Sequence, residues 1–387
     1  MKKICFITTT YITYRCFLKD FSIFLHNTGE FEIFLICGYD KTILTDVPDF
    51  VKVIQIPMKR GIDFAIWRPV IRLCSIFSKE NFDLIQYSTP NAAFYASVAG
   101  WLCNTKNRLY CQWGIRYMGF SGWKRVLFQW IEKITCRCST QIETESFQLR
   151  NFALKEGLYN DRKSFVTGSG SACGVNLQKY DRSKRESWRQ EIRHTLKIGN
   201  NETVFVFAGR LTADKGINEL LEAFLLLREE HEKIRLIVAG GMDHYHSLNQ
   251  GLFSKATASD SVIFTGNVEN LEKIFAGADI LTAPSYREGF GLVVIEAAAM
   301  GLPAIVSNVP GQIDAVIPGK TGILCQVKSV SSLKSAMEFA ITDQVFQTKA
   351  GREAFRFAVD RFEQRKLFGL LLEQRKRIIG SAEKSCR

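Results

Sequence analysis

Val204-Phe205-Val206-Phe207-Ala208, then Gly209-Arg210-Leu211-Thr212-Ala213-Asp214-Lys215-Gly216, then a run with Ile217, Leu220, Leu221, Phe224 and Leu225 at three- and four-residue spacing, follow one another without a break. The first piece reads as a strand and the last as an amphipathic helix. The octapeptide between them is therefore a strand-to-helix turn, which in an open parallel sheet lies at the carboxyl edge where ligands bind. Arg210 and Lys215 flank it. A guanidinium grips two phosphate oxygens as a fork, and an ammonium acts as a compact point charge. Gly209 and Gly216 let the backbone approach a ligand closely. Taken alone, an ordinary tight turn with solvated charges fits these residues equally well.

A second stretch has the same grammar. Ile280–Ala283 reads as a strand ended by Pro284-Ser285, and Glu288-Gly289-Phe290-Gly291 leads into the apolar helical run Leu292–Met300. Backbone amides at that helix start, aided by the helix dipole, make an anion site. Glu296 is the anomaly, a carboxylate within an apolar helix, about 7.5 Å along the axis from Gly291. An unpaired buried carboxylate is costly, whereas a ribose diol would offer it two hydrogen bonds. Glu288 is placed to hold sugar hydroxyls. The alternative is that Glu296 pairs with an arginine of the protein and Glu288 faces water.

Working outward, short apolar runs alternate with helical patterns along the whole chain. Strands are expected at 3–8, 33–37, 51–56, 84–87, 109–112, 141–143 and 164–167, and again at 204–208, 236–239, 262–265, 280–283 and 304–307, with helices beyond 329. Strands joined by crossover helices run parallel, so the fold class is α/β. Gly168-Ser169-Gly170-Ser171-Ala172-Cys173-Gly174 has dinucleotide-type glycine spacing but no helix opening after it, and reads as a linker. The expected organisation is a first domain 1–168, a linker 169–182 and a second domain 183–365. A terminal helix at about 366–387 returns to the first domain.

The 387 residues, 46% hydrophobic and 23% charged, match a two-domain globular protein and exclude a disordered one. Lys2-Lys3 before Ile4–Ile12 resembles a signal peptide, but the run has no small-residue cleavage site and reads as a first strand. The longest uncharged stretch, Leu84–Thr105, holds Pro90, Asn91 and Asn104 and does not read as a membrane span. Eleven scattered cysteines fit buried thiols in a reducing compartment, hence a cytoplasmic location. Cys136 and Cys138 lack a partner pair at zinc spacing, and Asp243-His244-Tyr245-His246 lacks a third ligand, so no metal site is expected. The net charge of +12 is concentrated in residues 1–175, with 22 Lys/Arg against 14 Asp/Glu. Such a balance implies a polyanionic partner. Two segments, Lys59–Lys79 with Trp67, Ile71 and Phe77, and Trp123–Arg137 with Phe128 and Trp130, are basic and amphipathic. They suit either an anionic membrane surface or aromatics in the core with solvated cations outside.

Gly209-Arg210 with Lys215-Gly216, followed by Pro284–Gly291, Glu296-Ala297 and Gly301-Leu302-Pro303-Ala304-Ile305, resembles retaining glycosyltransferase family 4, of the GT-B fold. The match covers most of residues 200–327; the first half resembles the family in pattern only. The resemblance implies two Rossmann-like domains facing across a cleft, each with a mainly parallel sheet. It implies a donor diphosphate on Arg210 and Lys215, its ribose on Glu296, and the transferred sugar on Glu288 and the Gly289, Phe290, Gly291 and Leu292 backbone. Gly209, Gly240, Gly266 and Val268 would border the nucleotide. On the acceptor side Thr9, Thr10, Gln112 and Arg116 are the candidates. The family's glycine-rich first loop is replaced here by Thr8-Thr9-Thr10-Tyr11, and its histidine after the fifth strand is missing from Gln112-Trp113-Gly114.

The expected function is transfer of a sugar from a nucleotide-diphosphate donor, by family habit a UDP-sugar, to a glycan or lipid-linked saccharide in capsule, lipopolysaccharide or exopolysaccharide synthesis. No cofactor or metal is expected, since two cations stand where Mg²⁺ would act. An epimerase of the same fold is the alternative enzyme. A polyanion- or nucleic-acid-binding protein is the non-catalytic alternative, although no nucleic-acid-binding signature occurs and none is expected as a partner.

Overall fold

All strand pairs described in the computed structural model, which covers residues 1–58, 61, 66–241 and 248–384, are parallel, in two separate sheets. The chain divides into two compact units, Met1–Cys173 with Arg365–Arg387, and Gly174–Gln364.

The first unit contains β1 (Lys2–Ile7), β2 (Phe31–Cys37), β3 (Lys52–Gln55), β4 (Leu84–Tyr87), β5 (Arg108–Gln112), β6 (Gln141–Thr144) and β7 (Ser164–Phe165). They are ordered β3-β2-β1-β4-β5-β6-β7. The order reverses between β1 and β4, which makes that junction the switch point of the sheet. Helices Trp67–Glu80, Pro90–Leu102 and Gly122–Cys138 lie side by side, the middle one packed against both others. The chain's last helix, Gln364–Lys384, inserts Arg375 into this unit. Its guanidinium is 2% exposed and donates to Gln86 Oε1 at 2.9 Å and Glu143 Oε2 at 2.6 Å.

The second unit contains β8 (Thr203–Ala208), β9 (Ile234–Ala239), β10 (Val262–Gly266), β11 (Ile280–Ala283), β12 (Ala304–Ser307) and β13 (Gly322–Cys325), ordered β10-β9-β8-β11-β12-β13. Along β8, Val204 and Val206 enter one apolar core while Phe205 and Phe207 enter the other. A strand covered on both faces has no polar alternation, hence the unbroken apolar runs in the sequence.

Two expectations are corrected. The segment 169–182 is not a separate linker. Ser171 N–H donates to Glu145 O at 2.7 Å in the first unit, whereas Val175 and Tyr180 are buried in the core of the second. The reason is apolar content: Val175, Leu177 and Tyr180 supply a core patch that the glycines before them obscure. Strand β13 was not expected, because Gly322 weakens the strand signal of the short Ile-Leu-Cys run, and it is pairing with β12 that makes it a strand.

Candidate functional site

The two motifs leave neighbouring strands. β9 and β10 extend the second sheet to one side of β8, and β11 returns to its other side, so the loops after β8 and β11 meet at a switch point. They are stitched together. Tyr286 N–H donates to Asp214 O at 2.9 Å, Arg287 Nη2 lies 3.1 Å from Asp214 Oδ2, and Tyr286 hydroxyl donates to Glu219 at 2.5 Å. Gly216, at φ +72°, lies so close to Pro284 that a Cβ there would be 2.0 Å from its carbonyl oxygen. A side chain would push the loops apart.

Lys215 Nζ and Glu288 Oε1 are 2.6 Å apart, both largely buried, and Ser285 hydroxyl donates to the same carboxylate oxygen at 2.8 Å. The cation and the carboxylate singled out 73 positions apart in sequence thus form one ion pair. Arg210 is exposed at the rim of the first loop. Asp214, a motif residue given no role from sequence, joins the loops. Burial pushes its carboxyl up, but the Thr212 hydroxyl and the cations of Arg287, Arg210 and Lys215 bring it below the usual range.

Gly291, at φ +93°, caps the Leu292–Ala299 helix. The Phe290 ring is buried edge-on against Phe362, so this residue can offer a ligand only its main chain. Glu296 is half-buried on that helix. Burial pushes its carboxyl up to about 7, Glu272 adds to the rise, and the Tyr180 hydroxyl and Lys179 oppose it. Tyr180, a hydrogen-bond partner of Glu296, lies in the segment read as a linker and left no signal in the sequence.

At the ends of β8, β9 and β10, Gly209 N–H donates to Ala239 O at 2.9 Å and Gly240 N–H to Gly266 O at 2.8 Å. Gly240 must be glycine, since a Cβ would meet Gly209 O at 1.8 Å. Val268 is exposed just beyond β10. Asp243–His246 lie outside the described residues. Among those described, Glu230, His231 and Glu338 hold three potential metal-ligand atoms within 4.8 Å. They sit at the opposite end of the Ile217–Glu230 helix from Gly216, and Glu230 is paired with Lys334 at 2.8 Å.

In the first unit Thr9 is buried at the β1/β4 switch point. Its hydroxyl lies 2.8 Å from Thr89 Oγ1 and accepts from Ala92 N–H at 3.2 Å. Thr89 is β-branched yet stands at φ +66°, a strained backbone of the kind that clusters at functional loops. The Thr10 hydroxyl lies 3.2 Å from that of Thr13. Gln112 is fully buried, donating to Glu132 at 2.6 Å and accepting from Tyr159 hydroxyl at 2.9 Å. Both ends of its amide are engaged inside the unit, which corrects its assignment to the acceptor side. The Arg116 guanidinium lies 4.6 Å from the centre of the Phe128 ring.

Two α/β units, each built on a parallel sheet and one with charged loops at its switch point, make up a GT-B fold. Residues 189–357 match the family of Glycosyl transferases group 1. It is similar to the capsular polysaccharide biosynthesis glycosyltransferase CapM of Staphylococcus aureus, 28% identical over 79% of this chain and 80% of the relative. It also resembles the UDP-Gal:alpha-D-GlcNAc-diphosphoundecaprenol alpha-1,3-galactosyltransferase of Escherichia coli, 23% identical over 86% and 85%. The solved structure of Anabaena HepE in complex with UDP has the same fold, with a TM-score of 0.77 and 18% identity over 97% of this chain and 99% of that one.

Proposed function

We propose that the protein is a retaining, metal-independent hexosyltransferase that moves a sugar from a UDP-sugar to a glycan or lipid-linked saccharide in surface-polysaccharide assembly. It would work at the cytoplasmic face of an anionic membrane. The observation that carries this reading is the convergence of Arg210, the Lys215–Glu288 pair and the capped start of the Leu292–Ala299 helix on adjoining strand ends. Further support comes from the relatives, one named for capsular polysaccharide and one for a UDP-galactose donor with a diphosphoundecaprenol-linked acceptor.

In this mechanism the donor diphosphate competes with Glu288 for the Lys215 ammonium and takes a second cation from Arg210. The freed Glu288 carboxylate accepts hydroxyls of the transferred sugar, while main-chain amides from Gly289 to Leu292 hold the departing oxygens. The bond between the anomeric carbon and the β-phosphate oxygen breaks. The acceptor oxygen bonds to that carbon on the same face, and its proton passes to the leaving phosphate. Cations and amides arranged beforehand around the developing charge are the principal catalytic term, and in this reading they replace a divalent ion.

The test is a thermal-shift screen of nucleotide diphosphate-sugars in EDTA, then transfer from the best donor to an undecaprenyl-diphosphate-linked sugar. The expected product keeps the donor's anomeric configuration. Interconversion of the donor without acceptor would instead identify an epimerase, and no stabilisation by any donor would defeat the reading.

A further inference from the structure

Among the described residues, no helix is long and apolar enough to cross a membrane, yet one face of the first unit is unusually apolar toward solvent. On the Gly122–Cys138 helix, Trp123, Leu127, Trp130 and Ile134 are all exposed, the two tryptophans by 68% and 63%. Their four-three-four spacing puts them in a single stripe about 16 Å long. The opposite side of this helix is already satisfied, with Phe128, Thr135 and Cys136 buried in the unit. A surface helix ordinarily turns a polar face outward; this one is apolar on both sides.

The charges around the stripe have one sign. The helix carries Lys124, Lys133 and Arg137; its Arg125 is taken by Glu156 at 3.1 Å, and its only acid, Glu132, is buried with its carboxyl pushed up by that burial. The adjacent Pro90–Leu102 helix has no charged residue and ends in exposed Trp101 and Leu102. The third helix of the layer, Trp67–Glu80, adds exposed Trp67 and Ile71 beside Arg68 and Arg72, while its Glu80 is taken by Lys3 at 3.1 Å. Two tryptophans have a cation against the ring, Arg68 at 5.2 Å from Trp67 and Lys124 at 5.9 Å from Trp123.

We propose that the outer face of these three helices is a docking surface for an anionic lipid bilayer, with Trp123, Leu127, Trp130 and Ile134 entering the headgroup region and the lysines and arginines meeting lipid phosphates. Tryptophan at the interface and cations at headgroup level are what such a boundary selects. A second copy of the chain is a poor occupant, because a two-fold contact would set this cationic face against itself. The inference deepens the membrane part of the functional reading. It is measured without donor or acceptor, so its failure and that of the transfer reaction are separable.

The experiment is cosedimentation of the full chain with vesicles of phosphatidylethanolamine and phosphatidylglycerol, against vesicles of phosphatidylcholine alone. Binding is expected only to the anionic vesicles, falling with salt and accompanied by a blue shift of tryptophan emission. Each lysine near an anionic surface contributes about fivefold in affinity, so Lys124→Gln with Lys133→Gln should weaken binding roughly 25-fold. Trp123→Ser with Trp130→Ser should abolish the blue shift while leaving the melting temperature unchanged, since both side chains lie outside the core. Equal binding to both vesicle types, or undiminished binding by both double variants, would overturn the proposal. So would a wild-type dimer that ignores vesicles and that Trp130→Ser dissociates, which would make the face a contact between copies.

Discussion

Glu296→Gln should remove a pH dependence of donor binding that is expected of the wild-type protein around neutrality. In the free protein the Glu296 carboxyl is raised from its ordinary 4.5 to about 7, chiefly by burial. The sign follows directly. The folded value lies above the unfolded one, so the stability gained from the neutral acid is complete below about 4.5 and is lost as pH rises through about 7. The full difference corresponds to roughly 3 kcal/mol. If the donor's ribose lies on Glu296 as proposed, its diol would donate two hydrogen bonds to the ionised form, and binding would select the carboxylate. With about a tenth of the group ionised at pH 6 and nine-tenths at pH 8, donor affinity should rise roughly ninefold over that interval, with release of a proton near pH 7. Titration calorimetry with an intact nucleotide diphosphate-sugar, in two buffers of different ionisation enthalpy, reads both quantities. The donor's own diphosphate is a diester and does not titrate in this range. Glu296→Gln should flatten the profile and raise the melting temperature of the free protein at pH 8. A flat wild-type profile, or a variant that keeps the slope, would refute the placement of a diol on this carboxylate.

Three further outcomes are expected. Lys215→Ala should lower turnover about 10²–10³-fold, equivalent to ~2.7–4 kcal/mol of lost transition-state stabilisation; a folded variant with near-normal rates in the transfer assay would remove Lys215 from the chemistry. Gly216→Ala adds both a left-handed backbone strain of about 1 kcal/mol and a collision with the Pro284 carbonyl. A melting temperature lowered by several degrees, together with weakened donor binding, would show that the two loops had separated. Arg375→Met leaves Glu143 buried without its cation, which should destabilise the first unit by about 3–5 kcal/mol. Denaturant unfolding and limited proteolysis within residues 365–384 are the measurements.

The legible part of this protein is local. Strands β4, β11 and β12 were readable to the residue because short apolar runs bounded by Pro, Ser and Gly leave few alternatives. Arg210, Lys215 and Glu288 stood out as charges on turns beside apolar runs, and Glu296 as a carboxylate within one. Gln112 was a candidate only because Gln112-Trp113-Gly114 stands where the resembled family has its histidine, and nothing nearby in sequence reveals that Glu132 and Tyr159 take both ends of its amide. Tyr180 was hidden behind the glycine-rich stretch that precedes it, and nothing near Thr9 in sequence points to its hydroxyl partner on Thr89, 80 positions away.

Periodicity and residue type alone establish alternating strands and helices, parallel sheets, and a chemistry of cations, amides and carboxylates carried on turns. Neighbourhood is a different kind of information. β8 and β11 adjoin because β9 and β10 occupy the other side of β8, an order governed by how the helices cover both sheet faces rather than by any local pattern. That placement makes an ion pair of Lys215 and Glu288. Burial of Glu296 in the folded unit, with Tyr180, Lys179 and Glu272 brought beside it from elsewhere in the chain, likewise raises an ordinary glutamate carboxyl to about 7.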